Sequence, residues 1–160
     1  MTVFSKGKRR GLGIVAGRLA DCPDSPNCVC SDAVDPSHRV TAFALAMAPS
    51  EAWNEIRAAV TALPRTRIVK RTSDYLHAQC SSALFGFVDD LELHLRTPHG
   101  GTVAVRSAAR IGYWDFGVNR ARVERLHSDL VRRGVIAADE PKRTTRVRAR
   151  DRAASQNDPQ

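Results

Sequence analysis

The chain has 160 residues, one domain in length, with 42% apolar and 26% charged residues, within the ordinary globular range. This excludes a collagen, a low-complexity polymer and a wholly disordered chain; no apolar run reaches the ~18 residues of a membrane span, and four cysteines are too few for a disulfide scaffold. The formal net charge of +8 sits mostly at the ends: residues 1–10 hold four bases and no acid, residues 137–160 hold six bases and four acids, and residues 11–136 keep a surplus of two.

A nucleic-acid domain carries its basic stripe on the folded part. Nucleic acid is therefore expected only as a weak partner of the basic termini. Residues 1–10 read as a flexible basic arm. The apolar stretch that follows, residues 11–17, has three glycines, at the short limit for a signal sequence. Asp21 spoils a lipidation box at Cys22. These features predict a cytoplasmic protein with no transmembrane segment.

Residues 11–38 are rich in turn chemistry (Asp21, Pro23, Asp24, Ser25, Pro26, Asn27, Asp35, Pro36, Ser37) and predict an ordered loop lying on the core. From Val40, Phe43, Leu45 and Met47 alternate with alanines, as in a strand. Ser50 reads as an N-cap with Glu51 in the first turn. Trp53, Ile56, Val60 and Leu63 then mark one helix face, which Pro64 stops.

Strands are predicted over residues 66–72, 74–81, 87–96 and 102–110, with a turn at 98–101. Residues 112–117 form a loop. A helix from Val118 buries Val123, Leu126, Leu130 and Val131 and ends at Gly134. Residues 137–160 read as a disordered charged tail. The order β-α-β-β-β-β-α lacks crossover helices between neighbouring strands. It predicts one α+β domain over residues 11–136: a single antiparallel sheet of about five strands, with both helices on one face.

Strand parity sets the register. Pairing Leu95 with Val103 and Leu93 with Val105 places Glu92 opposite Arg106 and Asp90 opposite Ala108, near Arg110. The preceding hairpin brings His77 near Asp90. The outer face then holds His77, Asp90, Glu92, His94, Arg106 and Arg110. It reads as a solvated face knitted by cross-strand ion pairs, with an acid–base or metal cluster as the alternative. Asp89 shares the face of the core leucines and needs partners. The loop before the last helix, or that helix's first turn, supplies them. It reads as a strand-end carboxylate fixing that loop, or as a tuned acid. On this reading Asp89→Asn costs more stability than Asp90→Asn.

Cys22, Cys28, Cys30 and His38 have a spacing poor for zinc, and no metal or cofactor is expected. Cys22 and Cys28 close a short disulfide in an exported chain and stay thiols in a reducing cytosol. Neither a nucleophile elbow nor a phosphate loop occurs. Tyr113, Trp114 and Phe116 read as a plug for the core. The alternative is an aromatic wall beside Arg106, Arg110, Asn119 and Arg120 for an anionic or planar ligand.

Several blocks stand in a familiar order: residues 22–29 (CPDSPNCV), Asp35 and His38, residues 86–90 (GFVDD), residues 106–113 (RSAARIGY) and residues 115–122 (DFGVNRAR). Together they resemble the domain-of-unknown-function family numbered 1499, over roughly residues 17–133. The resemblance implies no activity. It matches the family pattern at Cys22, Asn27, Cys28, His38, Asp89, Asp90, Arg106, Ser107, Arg110, Gly112, Asp115, Gly117, Asn119, Arg120 and Arg122, and departs from it at Cys30.

Asp115 can accept from donors in its loop, and Asn119 can cap the helix. Arg120 and Arg122 lie against the helix dipole, so they call for acidic partners or an anion. The favoured function is a non-catalytic module binding a small anionic ligand or a protein partner at Asp89, Asp90, Arg106, Arg110, Asp115, Asn119 and Arg120. The alternative is a small hydrolase- or isomerase-like enzyme using Asp89 or Asp90 with a histidine.

Overall fold

The longest strand, β7 (Val88–Arg96), sits near the middle of the sheet because its two faces are both buried. The computed structural model describes residues 11–82, 86–98 and 101–139. Around β7 the chain runs β1 (Ile14–Val15), β2 (Arg18–Leu19), β3 (Cys28–Cys30), a 3-10 turn (Pro36–His38), β4 (Phe43–Ala44), α1 (Pro49–Ala62), β5 (Thr66–Arg71), β6 (Tyr75–Ser81), β7, β8 (Thr102–Ala109) and α2 (Val118–Arg132). The class is α+β. The main sheet is antiparallel in the order β3-β8-β7-β6-β5, and β4 also pairs with β8. It has six strands rather than about five, and β1 and β2 form a separate two-stranded hairpin.

The β7–β8 register has Leu95 opposite Val103, Leu93 opposite Val105, Glu92 opposite Arg106 and Asp90 opposite Ala108. Parity then sends Leu91, Leu93, Leu95, Val103 and Val105 to one face, where they meet Leu76 and Ala78 of β6. Both helices lie there. Trp53, Ile56 and Val60 of α1 and Val123, Leu126 and Leu130 of α2 complete the main core. The stripe of apolar residues three and four apart is what seats each helix.

The helix ends differ in detail from the sequence reading. Ala48, not Ser50, is the α1 N-cap, with Pro49 in the first helical position, where its missing N–H is no loss. The α2 N-cap is Gly117, and the side chain that caps the helix is Asp115, not Asn119. The strand expected from Val40 shrinks to two residues. After α2, left-handed Gly134 (φ 70°) turns the chain back. Ala46 N–H donates to Val135 C=O and Ala137 N–H to Ala44 C=O, so the segment after α2 is tied to β4. The arm expected at 1–10, the turn residues 99 and 100 and the tail beyond 139 lie outside the described residues.

The outer face is not solvated. Residues 11–39 cross it, as expected of an ordered loop, and bury it. Leu19, Cys30 and Ala33 pack with Tyr75 and Ala104 in a second small core. Under this cover His77, Asp90, Glu92, His94 and Arg106 are all buried. The cover is fastened by charge-bearing bonds. Gly13 N–H donates to Glu92, and Asp32 accepts from Leu19 N–H and pairs with Arg96.

Candidate functional site

The residues singled out for function fall into three groups. The first lies under the N-terminal cover. Arg106 donates to Glu92 at 2.9 Å, and Tyr75 O–H donates to the same carboxylate at 2.6 Å. Arg110 donates to Asp90 twice, at 2.8 and 2.6 Å, and His77 Nε2 meets the same carboxylate at 2.6 Å. Burial pushes the Asp90 carboxyl up, but the hydrogen bonds from Arg110 and His77 overcome this and hold it at about 2. An ion pair this buried is kept only where its remaining hydrogen-bonding groups are met. Asp90 fulfils that condition with three donors.

The second group lies on the helix side. Arg122 donates to Asp89 at 2.7 Å and to Ser107 Oγ at 2.9 Å. Burial pushes the Asp89 carboxyl up against the pull of Arg122. Arg122 is the fifth residue of α2 rather than a first-turn residue, so the dipole works against it little. Fully buried Asn119 is the hub: its Oδ1 accepts from Ser107 and Arg122, and its Nδ2 donates to Asn27 C=O and Asp115. Asp115 also accepts from the N–H groups of Gly117 and Asn119. These bonds tie the N-terminal segment, β8 and α2 together.

The third group is open. Tyr113, Trp114 and Phe116 do not plug the core. They are exposed, Trp114 at 66% and Phe116 at 96% of the residue's full surface. Phe116 and Gly117 are both left-handed (φ 53° and 77°), a costly conformation for an aromatic residue. Asp115 holds it in place, and Asn27 Nδ2 grips the loop at Gly112 C=O. The rings of Tyr113 and Trp114 meet edge to face, 5.3 Å apart.

Opposite this loop stands the segment of residues 24–38. Cys28 is joined to Cys22 by a disulfide, which takes both out of any metal-ligand set. His38 Nδ1 lies 2.8 Å from Cys28 C=O. A carbonyl only accepts, so Nδ1 carries a proton. Arg120 donates to the C=O groups of Arg39 and Ser37. Between the two segments is a cleft of about 310 Å³ lined by Asp24, Asp35, His38, Tyr113, Trp114, Asp115 and Arg120, among others. That size is at the small end of ligand sites.

A larger groove of about 550 Å³ lies on the other side of Arg120, against Phe43, Val123, Glu124 and His127. The smaller cleft is the better candidate. Its walls are the blocks of residues 22–29 and 106–122 that carry the resemblance, and the larger groove shares with them little beyond Arg120.

The family model described as a protein of unknown function, DUF1499, matches residues 18–130. The chain belongs to that family. No curated protein matches the chain. The family's matched stretch spans the whole cleft and both buried networks, from before the disulfide to near the end of α2.

Of the seven residues expected to bind, the structure places Asp115 and Arg120 at the cleft. It places Asp89 and Asn119 in the helix-side network and Asp90, Arg106 and Arg110 under the N-terminal cover. The expected set did not include Asp24, Asp35 and His38, and held Tyr113 and Trp114 only as the alternative aromatic wall. The signal for them was present, since all five stand in or beside the blocks of the resemblance.

Proposed function

We propose that the domain is a non-catalytic binding module whose ligand seat is the cleft between residues 24–38 and the loop of residues 111–117. The observation that carries this is the display of Tyr113 and Trp114 in the open, on a loop pinned from behind by Asn27 and Asp115. Exposed rings on a rigid loop supply contact area at low entropic cost. Asn119, and Asp89 through Arg122, brace the seat from beneath, and Asp115 and Arg120 border it.

An anionic ligand has less to hold it than the sequence suggested. Arg106, Arg110 and Arg122 are each engaged by a carboxylate, and Arg120 by two backbone carbonyls. Nucleic acid is expected only as a weak, salt-sensitive ligand of the basic termini. No helix among the described residues is long and apolar enough to cross a membrane. The disulfide Cys22–Cys28 supports an oxidising compartment over the cytoplasm expected from the sequence, because such bonds are rare where thiols are kept reduced.

One observation favours the enzyme reading: His77 and Asp90 are within hydrogen-bond reach at 2.6 Å. Both are buried beneath residues 11–39, and Arg110 already holds the carboxylate twice. Acid–base work there requires the cover to lift.

A thermal-shift screen of small fragments tests the binding reading. Fragments should raise the melting temperature of the wild type and leave Trp114→Ala unmoved, while the unliganded variant melts like the wild type because its ring is exposed. Fragments that stabilise both proteins equally would overturn it.

A further inference from the structure

We propose that the cleft takes a primary ammonium or a guanidinium group, such as the end of an alkylamine or of a lysine or arginine side chain. This rests on the reading of the cleft as the ligand seat. Three carboxylates line it, from Asp24, Asp35 and Asp115, against one guanidinium, that of Arg120. Asp35 and Asp115 are held by backbone donors, at Ser37 and at Gly117 and Asn119, so their charge stays fixed at the walls. Asp24 is exposed and makes no hydrogen bond or ion pair among the described residues. It is free to meet an incoming charge.

The rings decide the sign of the ligand independently. Tyr113 and Trp114 meet edge to face at 78° and 5.3 Å, and both stay largely exposed, so π surface remains open beside the cleft. Such faces attract cations and repel anions. The third observation is His38. It is only 8% exposed, it lines the cleft, and its Nδ1 is tied to Cys28 C=O. Its Nε2 makes no hydrogen bond among the described residues. In the neutral ring this nitrogen is an acceptor open to a ligand N–H in the cleft. A primary ammonium or a guanidinium brings N–H donors together with positive charge; an anion brings neither, and a quaternary ammonium brings charge alone.

The test is a fluorescence titration of the full chain at constant ionic strength. Trp53 is buried in the core and Trp114 is exposed, so a ligand in the cleft changes Trp114 selectively. The probes are n-butylammonium, methylguanidinium, tetramethylammonium, benzoate and inorganic phosphate. Saturable responses are expected for the first two, with tetramethylammonium at least fivefold weaker. Asp24→Asn should weaken n-butylammonium at least fivefold with an unchanged circular dichroism spectrum. His38→Gln, which keeps a carbonyl acceptor, should weaken it less than His38→Phe. Saturable binding of benzoate or phosphate in preference to the cations would overturn this inference and leave the cleft as the seat. Linear, unsaturable responses to every probe would overturn this inference; the fragment screen then decides the fate of the cleft itself.

Discussion

Asp89 and Asp90 are neighbours in β7 and answer to opposite sides of the sheet: Asp89 receives Arg122 from the helix side at 2.7 Å, and Asp90 receives Arg110 and His77, each as close as 2.6 Å, beneath residues 11–39. Asp89 thus fastens α2 to the central strand, and Asp90 ties β6 and the end of β8 to it. This changes the expected ranking of their substitutions. With Asp90 buried and triply bonded, Asp90→Ala strands Arg110 and His77, and removing one partner of a buried pair costs about 3–5 kcal/mol. Asp89→Ala, with one arginine that also keeps Ser107 and Asn119, should cost about 1–3 kcal/mol. Urea denaturation of both variants checks the order; a smaller loss for Asp90→Ala would mean that Arg110 and His77 do not depend on this carboxylate.

Acid should loosen the same point. The Asp90 carboxyl is held at about 2 in the fold, against 3.8 for a free side chain. A folded value below the unfolded one gives stability that is complete above about pH 5 and is lost as pH falls through about 2. The loss from this group is about 2 kcal/mol. Asp89, whose carboxyl is pushed up by burial, works in the opposite direction. Denaturation midpoints between pH 6 and pH 2 should fall less steeply in Asp90→Asn than in the wild type. Parallel profiles would contradict the assignment.

Thiol counting tests the disulfide. Cys30 and Cys80 are buried, and burial pushes the Cys30 thiol up to about 11 and the Cys80 thiol up as well. The native protein should therefore react with no thiol reagent, and the denatured, unreduced protein should show two thiols. Four thiols would contradict the bond. With a sequence separation of six, the Cys22–Cys28 link is expected to contribute about 2 kcal/mol, read from Cys22→Ser with Cys28→Ser.

Asn119 joins stability to the site. Asn119→Ala leaves Asn27, Ser107, Arg122 and Asp115 short of partners in the interior, at a cost of about 2–3 kcal/mol. It should also free the aromatic loop. Amide exchange at Gly117 and at residue 119 should accelerate more than exchange in the middle of α1. Uniform acceleration across the domain would mean that the hub serves the fold without ordering the loop.

Much of the sheet was legible from alternation. Leu91, Leu93 and Leu95 against Val103 and Val105 fix the β7–β8 register, and with it the pairs Glu92–Arg106 and Asp90–Arg110. The cover over those pairs was not legible. A polar face with matched charges reads the same whether water or a loop lies on it, and residues 11–38 have no period to show where they pack. β3 is three residues long and wholly buried, so it carries no alternation to read. The exposure of Tyr113, Trp114 and Phe116 ran against their hydrophobicity. It depends on Asp115 and Asn27 holding the loop, which are contacts across 4 and 85 residues of sequence.

The central claim is that the cleft is the working surface and the buried charges are its foundation. Its most direct measurement is a backbone and indole amide NMR map of the full chain with a stabilising fragment bound. The account predicts shifts confined to Asp24, Cys28, Asp35, His38, residues 112–117, Arg120 and the Trp114 indole, with His77, Asp90 and the Trp53 indole unmoved. Shifts centred on His77, Asp90 and Glu92, with the aromatic loop unmoved, would contradict it and make the pair beneath the N-terminal cover the active centre.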